Sequence, residues 1–267
     1  MIEKYYNGVI EQVAGGIGNV EHNSILVRYS NDFSIWDLES VNHYKDQTDI
    51  FFTCHEFSYN KIAEAYEPYL GLIRQMFHKY CSGTLEEFME ECDVYKLQRP
   101  VFESYFEKGF CERTEQILID EVEYEQERMR NSIVTMLQKL SEIRPVVIVL
   151  NRFQLASKST MQLTNRLLQT KNKNIGIVLG VNDVQSIPEF AHEEWDAICE
   201  SMDDRNMVYH IGNAGRNMEP DVMDYYSDYE SDDGYRKLNN LVYFLDFDQA
   251  DHHLSKIERR IKFDNFT

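Results

Sequence analysis

The stretch RPVVIVLNRFQLASKSTMQLTNRLLQ, residues 144–169, decides the fold. Val146 to Leu150 are five consecutive apolar residues, four of them β-branched, with no polar alternation. That pattern suits a strand covered on both faces, as in a parallel sheet, rather than one with a wet side. Pro145 ends the preceding helix and opens the strand. After Leu150 come a short turn and an amphipathic helix, expected from Ser159 to Leu168, with Ser157 and Ser159 placed as N-cap residues. No Gly-x-Ser-x-Gly elbow surrounds them, so a nucleophile reading has no support. The apolar run ends on Asn151, where a nucleotide-hydrolysing enzyme places the acid that holds its metal.

Working outward, a helix is expected over residues 3–13, then a glycine-rich turn AGGIGN (14–19) and a strand Ile25 to Tyr29. IWDLESVNHY follows as a helix and DIFFTC (49–54) as a second buried strand. Ile62, Ala65, Tyr66, Tyr69, Leu72, Ile73, Met76 and Phe77 recur at spacings of three and four, with Pro68 opening the helix or breaking it. Shorter helices fill 84–108, the first with a capping box from Thr84 to Glu87. A long helix runs from about Glu112 to Ile143. NIGIVLGVND supplies a third strong strand, a helix is expected at Phe190 to Met202, and VYHIGN is a short strand. NNLVYFLDF reads as a further strand and DQADHHLSKIERRIKF as a closing helix. Helices alternating with β-rich apolar runs imply a three-layer α/β domain, a parallel sheet flanked by helices. A helical insertion is expected at about 60–110.

The chain has 267 residues, 43% hydrophobic, enough for a single domain over 1–267. No apolar run is long enough for a membrane span, and MIEKYYNGVIEQV has no signal-peptide core. Five cysteines without a CxxC pair read as reduced thiols, mostly small buried hydrophobes, in a cytoplasmic protein. A net charge of −19 argues against nucleic-acid binding, which draws on Lys and Arg to neutralise phosphates. From Glu189 to Asp233 there are 14 acids against two bases, Arg205 and Arg216: a solvated face, or a surface for a basic partner. DYYSDYESDDGY lacks the spacing of a calcium loop. His252 and His253, adjacent on a helix, would point about 100° apart, and both are expected at the surface. Cys54 and His55 point to opposite sides of their strand and form no catalytic pair.

A phosphate-binding loop needs glycines, a Lys and a Ser or Thr between a strand and a helix. AGGIGN precedes its strand and lacks the Lys. The segment in the right place, SNDFSIWDLES after Tyr29, has neither glycine nor lysine, and Asp32 and Asp37 would repel a triphosphate.

The order of elements nevertheless resembles the nucleotide-binding core of the signal-transduction ATPases with numerous domains, relatives of the maltose-regulon activator and of adenylate-cyclase-associated ATPase modules. Pro145, the strand after it, Phe153 to Ala156, Ser159, Leu163 and Leu167–Leu168 follow that family's metal-strand segment. Upstream, Cys54, Pro68, Tyr69, Leu72 and Ile73 match its PYxxLxxLL region, and LVYFLDFDQADHHLSKI is similar to the segment leading into its helical lid, here about 249–267. The resemblance spans about 25–262. It places the phosphate-loop Lys near Ile35, its Ser/Thr near Trp36, the metal acid on Asn151 and the neighbouring acid on Arg152. Asn182 or Asp183 falls at the sensor position.

The degenerate pocket is therefore expected to comprise Ser30, Asn31, Asp32, Phe33, Ser34, Ile35, Trp36, Asn151, Arg152, Asn182 and Asp183, with Phe33 or Trp36 filling the phosphate site. This implies a regulatory or scaffolding pseudo-ATPase without catalytic or metal residues and without a cofactor. Its partners would be proteins or further domains of the same chain, it would have no membrane contact, and it would form the N-terminal part of a longer signalling protein. Two alternatives stand beside it. One is an active ATPase, binding ATP or ADP with Mg through Asp32, Glu56, Asp183 or acids of the 189–233 tract. The other is an acidic protein-interaction module.

Overall fold

The computed structural model describes residues 2–18, 23–30, 34–47, 49–58, 61–111, 122–170, 172–182, 187, 191–203, 208–211 and 232–264. Five strands pair in parallel: β1 (Ser24–Tyr29), β2 (Phe51–Glu56), β3 (Val146–Asn151), β4 (Ile175–Asn182) and β5 (Val208–Ile211). Their order is β2-β3-β4-β1-β5. The register pairs Tyr29 with Asn182, and Glu56 with Asn151, so the carboxyl ends of β1 and β4, and of β2 and β3, finish level.

Side-chain alternation divides the core in two. Ile25, Val27, Tyr29, Val147, Val149 and Val178 pack against Tyr6, Val9, Ile10 and Val13 of α1 (Ile2–Gly16) and Val41 of α2 (Glu39–Lys45). Leu26, Val146, Ile148, Leu150, Ile175, Ile177, Leu179 and Val181 face the other way. They meet a larger layer built from α3 (Tyr69–Tyr80), α4 (Leu85–Glu91), α5 (Arg99–Lys108), α6 (Val122–Ile143), α7 (Lys158–Gln169), α8 (His192–Asp203), α9 (Asp232–Tyr243) and α10 (Phe247–Asp264). The three-layer α/β architecture implied by the sequence is the one observed. The connection from β1 to β2 lies on the α1 side and those leaving β2, β3 and β4 on the other, as crossovers of a single hand require.

Local signals explain most boundaries. Ser157 caps α7, its Oγ accepting the Thr160 N–H at 3.2 Å. Thr84 and Glu87 form the reciprocal capping box of α4. Pro68 follows a cis peptide bond and immediately precedes α3, so the apolar stripe seen from Ile62 is helical only from Tyr69. IWDLESVNHY is broken at Leu38, with a 3-10 turn (Ile35–Asp37) before α2. The N-terminal helix also absorbs Ala14 to Gly16 of AGGIGN.

Two expectations fail. NNLVYFLDF is not a strand: α9 runs to Tyr243, and α10 begins at Phe247. Leu241 and Phe244, three apart, are buried while Val242 between them is 42% exposed, so the burial follows a helix and not a pleat. The buried Asn240 fixes the register by accepting the Cys111 N–H at 2.8 Å and donating to Glu64 at 2.9 Å. Leu245 then turns the chain with φ 64°, and Asp246 accepts the Gln249 N–H of α10 and the Ser159 N–H of α7. His253 is also not at the surface; it is 2% exposed and bonded to Gln249 at 2.9 Å. All five cysteines are free thiols, with Cys92 and Cys111 buried. Among the described residues no helix is long and apolar enough to cross a membrane.

Candidate functional site

In an open parallel sheet, ligands bind beyond the carboxyl ends of the strands where neighbouring connections leave on opposite faces. That crevice lies here between β1 and β4, whose connections go to opposite sides of the sheet. Its walls are Tyr29, Asn151, Asn182 and the beginning of α1.

Protein side chains occupy it. Asn151 is fully buried and its Oδ1 accepts the Tyr29 hydroxyl at 2.7 Å. Tyr6, also fully buried, meets Tyr29 edge-on with ring centroids 6.5 Å apart. Burial, reinforced by Tyr29 and then Glu56 and Cys54, holds the Tyr6 hydroxyl well above its ordinary pKa, so it stays neutral. Gly180 of β4 makes the arrangement possible. A Cβ there would overlap the Tyr6 hydroxyl and stand 2.5 Å from Asn151 Oδ1. Gly176, earlier on the same face of the strand, makes room for Val13 in the same way. These two glycines let α1 lie close on the sheet and carry Tyr6 to the strand ends.

Some of the groups that would attract an anion are engaged by Glu56, while the buried Asn151 Nδ2 makes no hydrogen bond among the described residues. The Ile35 N–H, at the start of the turn after β1, donates to Glu56 Oε2 at 3.3 Å. Arg152 Nε lies 3.4 Å from Glu56 Oε1, with both side chains largely buried. Glu56, at the end of β2, thus stands as an internal anion between the β1 turn and Arg152. Arg152 has φ 52°, a left-handed conformation uncommon for a residue with a Cβ, which turns the chain from β3 into the 3-10 segment Phe153–Leu155. Gln154, fully buried there, accepts the Asn182 N–H at 3.3 Å.

The sequence-derived pocket residues are therefore only partly brought together. Asn151, Arg152 and Asn182 line the crevice, with Ile35 buried beside it. Ser34 caps the 3-10 turn, its Oγ accepting the Trp36 N–H at 3.3 Å, and Ser30 directly follows β1 with its Oγ enclosed. Asn31, Asp32, Phe33 and Asp183 lie outside the described residues. Trp36 does not fill the phosphate position: it is 45% exposed, with Lys45 Nζ 4.7 Å from its ring. The smaller Ile35 is turned inward instead, because the 3-10 turn places successive side chains on different sides. Sequence reading missed Tyr6, Tyr29, Gln154 and Gly180, and named Glu56 only as a possible metal ligand. Gly176 and Gly180, on one face of the same strand, were the available signal for a closely packed helix.

Beside the crevice, at the end of β2, is a cavity of about 330 Å³ lined by His55, Glu56, Lys61, Glu64, Glu67 and Lys237 among others. Burial and the Lys61 charge push His55 down to about 4, although Glu67 Oε1 lies 3.4 Å from Nε2 and opposes the shift. The ring is neutral at pH 7, so its approach to Glu67 is not an ion pair there. Among the described residues no group of three or more His, Cys, Asp or Glu side chains is arranged to hold a metal ion. Against known proteins, no family model matches the chain, and no curated protein matches it.

Proposed function

We propose that this chain is a degenerate nucleotide-binding domain of the signal-transduction ATPase type, retained as a regulatory or scaffolding module. The observation that carries the reading is the filling of the crevice at the switch point. Asn151, where the family resemblance would put the metal acid, is tied to Tyr29, and Glu56 takes the Ile35 N–H and Arg152 that an incoming phosphate would seek. A triphosphate would have to displace a buried ion pair and bring its own charge beside Glu56, at a cost of several kcal/mol. The parallel sheet, the strand ending on Asn151 and the capped helix after it support the family resemblance. The active-enzyme alternative loses ground because Glu56 is engaged with Arg152.

Calorimetry with ATP or ADP and magnesium tests the proposal. The expected result is no binding tighter than about 1 mM, a free energy of about −4 kcal/mol. Micromolar, magnesium-dependent binding would overturn it.

A further inference from the structure

Among the described residues β2 is an edge strand, paired only with β3. The Phe51 and Phe57 N–H groups donate to the Pro145 and Asn151 carbonyls of the β3 side, at 2.7 and 3.0 Å. By the alternation of a strand, the main-chain N–H and C=O groups of Phe52 and Cys54 point the other way, along the edge that no described strand covers. A groove of about 580 Å³ follows the first half of this edge, between the ends of α2 and α3.

Its lining is unlike the rest of a chain of net charge −19. Lys45, Arg74 and Lys79 contribute to it and no Asp or Glu does, although Asp46 and Asp49 flank it in sequence. Arg74 is held by the carbonyls of Phe106 and Glu107, which position its charge without neutralising it. Lys45 and Lys79 form no ion pair among the described residues; they lie over aromatic rings, Lys45 over Trp36 and Lys79 over Phe51 and Tyr80 at 6.0 and 5.3 Å. Phe52 stacks on Tyr44 at 5.7 Å, and Tyr80 meets Phe51 edge-on at 6.1 Å, so aromatic surface flanks the open edge on both faces of the sheet.

We infer that this groove receives an extended acidic segment of another protein, which adds to β2 as a sixth strand. Main-chain hydrogen bonds to Phe52 and Cys54 would give the register. Acidic side chains would pair with Lys45, Arg74 and Lys79, while apolar ones rest on the Phe51 and Phe52 rings. A peptide fits better than a single-stranded nucleic acid because the open edge offers alternating donors and acceptors that only another peptide backbone matches.

The probe is a fluorescein-labelled peptide alternating Glu or Asp with Val over eight residues, titrated into the whole chain by anisotropy at 50 and 300 mM salt. Binding is expected to weaken at least tenfold at the higher salt and to be lost in Lys45→Glu/Lys79→Glu, whose melting temperature stays at the parent value because both side chains are at the surface. Amide exchange at Phe52 and Cys54 is expected to slow on binding, which charge attraction alone would not produce. No binding, binding undiminished in the double variant, or unchanged exchange at the edge would each overturn the inference. Tighter binding of an oligothymidine than of the peptide, or salt-dependent self-association of the chain without peptide, would also overturn it. These outcomes are independent of whether the β1–β4 crevice binds nucleotide.

Discussion

The crevice between β1 and β4 and the groove along β2 are made from one sheet and differ in what fills them. At the crevice, three pairs tie polar groups internally: Tyr29 to Asn151, the Ile35 N–H to Glu56, and the Asn182 N–H to Gln154. Along β2, the edge at Phe52 and Cys54 meets no other strand among the described residues, and Lys45, Arg74 and Lys79 line the groove beside it. The difference lies in which elements cover each place. The helix α1, settled on Gly176 and Gly180, closes the centre of the sheet, whereas α2 and α3 flank β2 without crossing its edge. The two places centre on different strands and can be altered separately.

The largest effect is expected where the crevice is most tightly filled. Gly180→Val should destabilise the chain by about 3 kcal/mol in urea unfolding, because its Cβ collides with Tyr6 and Asn151, neither of which has space to retreat. Stability within about 0.5 kcal/mol of the parent, the range of an ordinary surface change, would mean that α1 lies loosely and the crevice is open. Next, Tyr29→Phe should cost about 1.5 kcal/mol by removing the hydrogen bond to the buried Asn151 Oδ1. An unchanged midpoint would show that water already reaches Asn151.

The smallest effect concerns His55, on the strand shared by both places. Its folded pKa of about 4 lies below its unfolded value near 6.5, so the unfolded chain binds the extra proton between these limits. Its contribution is full above pH 6.5 and is lost as pH falls through about 4. About 1 kcal/mol is expected, since the side chain is a quarter exposed and Glu67 opposes the shift. In His55→Gln the pH dependence of unfolding between 6.5 and 4 should be shallower by that amount; an identical slope would place His55 in contact with bulk water.

Much of the fold was legible because it rests on local rules. The unbroken apolar runs of β3 and β4, the Thr84–Glu87 box and the Ser157 cap announce themselves through neighbours in sequence. The failures were tertiary. NNLVYFLDF has the composition of a strand, but the contacts of Asn240, Leu241 and Phe244 with distant segments made it a helix end. His253 is buried because α10 turns that position toward the core, which an adjacent pair of histidines does not reveal. Of Phe33 and Trp36, the two residues expected to fill the phosphate site, Trp36 faces outward, and a single 3-10 turn places Ile35 inward in its stead.

The same division separates what each level determined about function. The sequence by itself determined a parallel α/β core whose third strand ends on Asn151 and Arg152 rather than on acids, since strand patterning and residue identity are local facts. Only the tertiary structure decided that Tyr6 from the N-terminal helix and Glu56 from β2 would meet at that point. Residues far apart in sequence are brought together by the strand order and by the two glycines beneath α1, and neither the occupied crevice nor the open basic edge exists before the sheet is assembled.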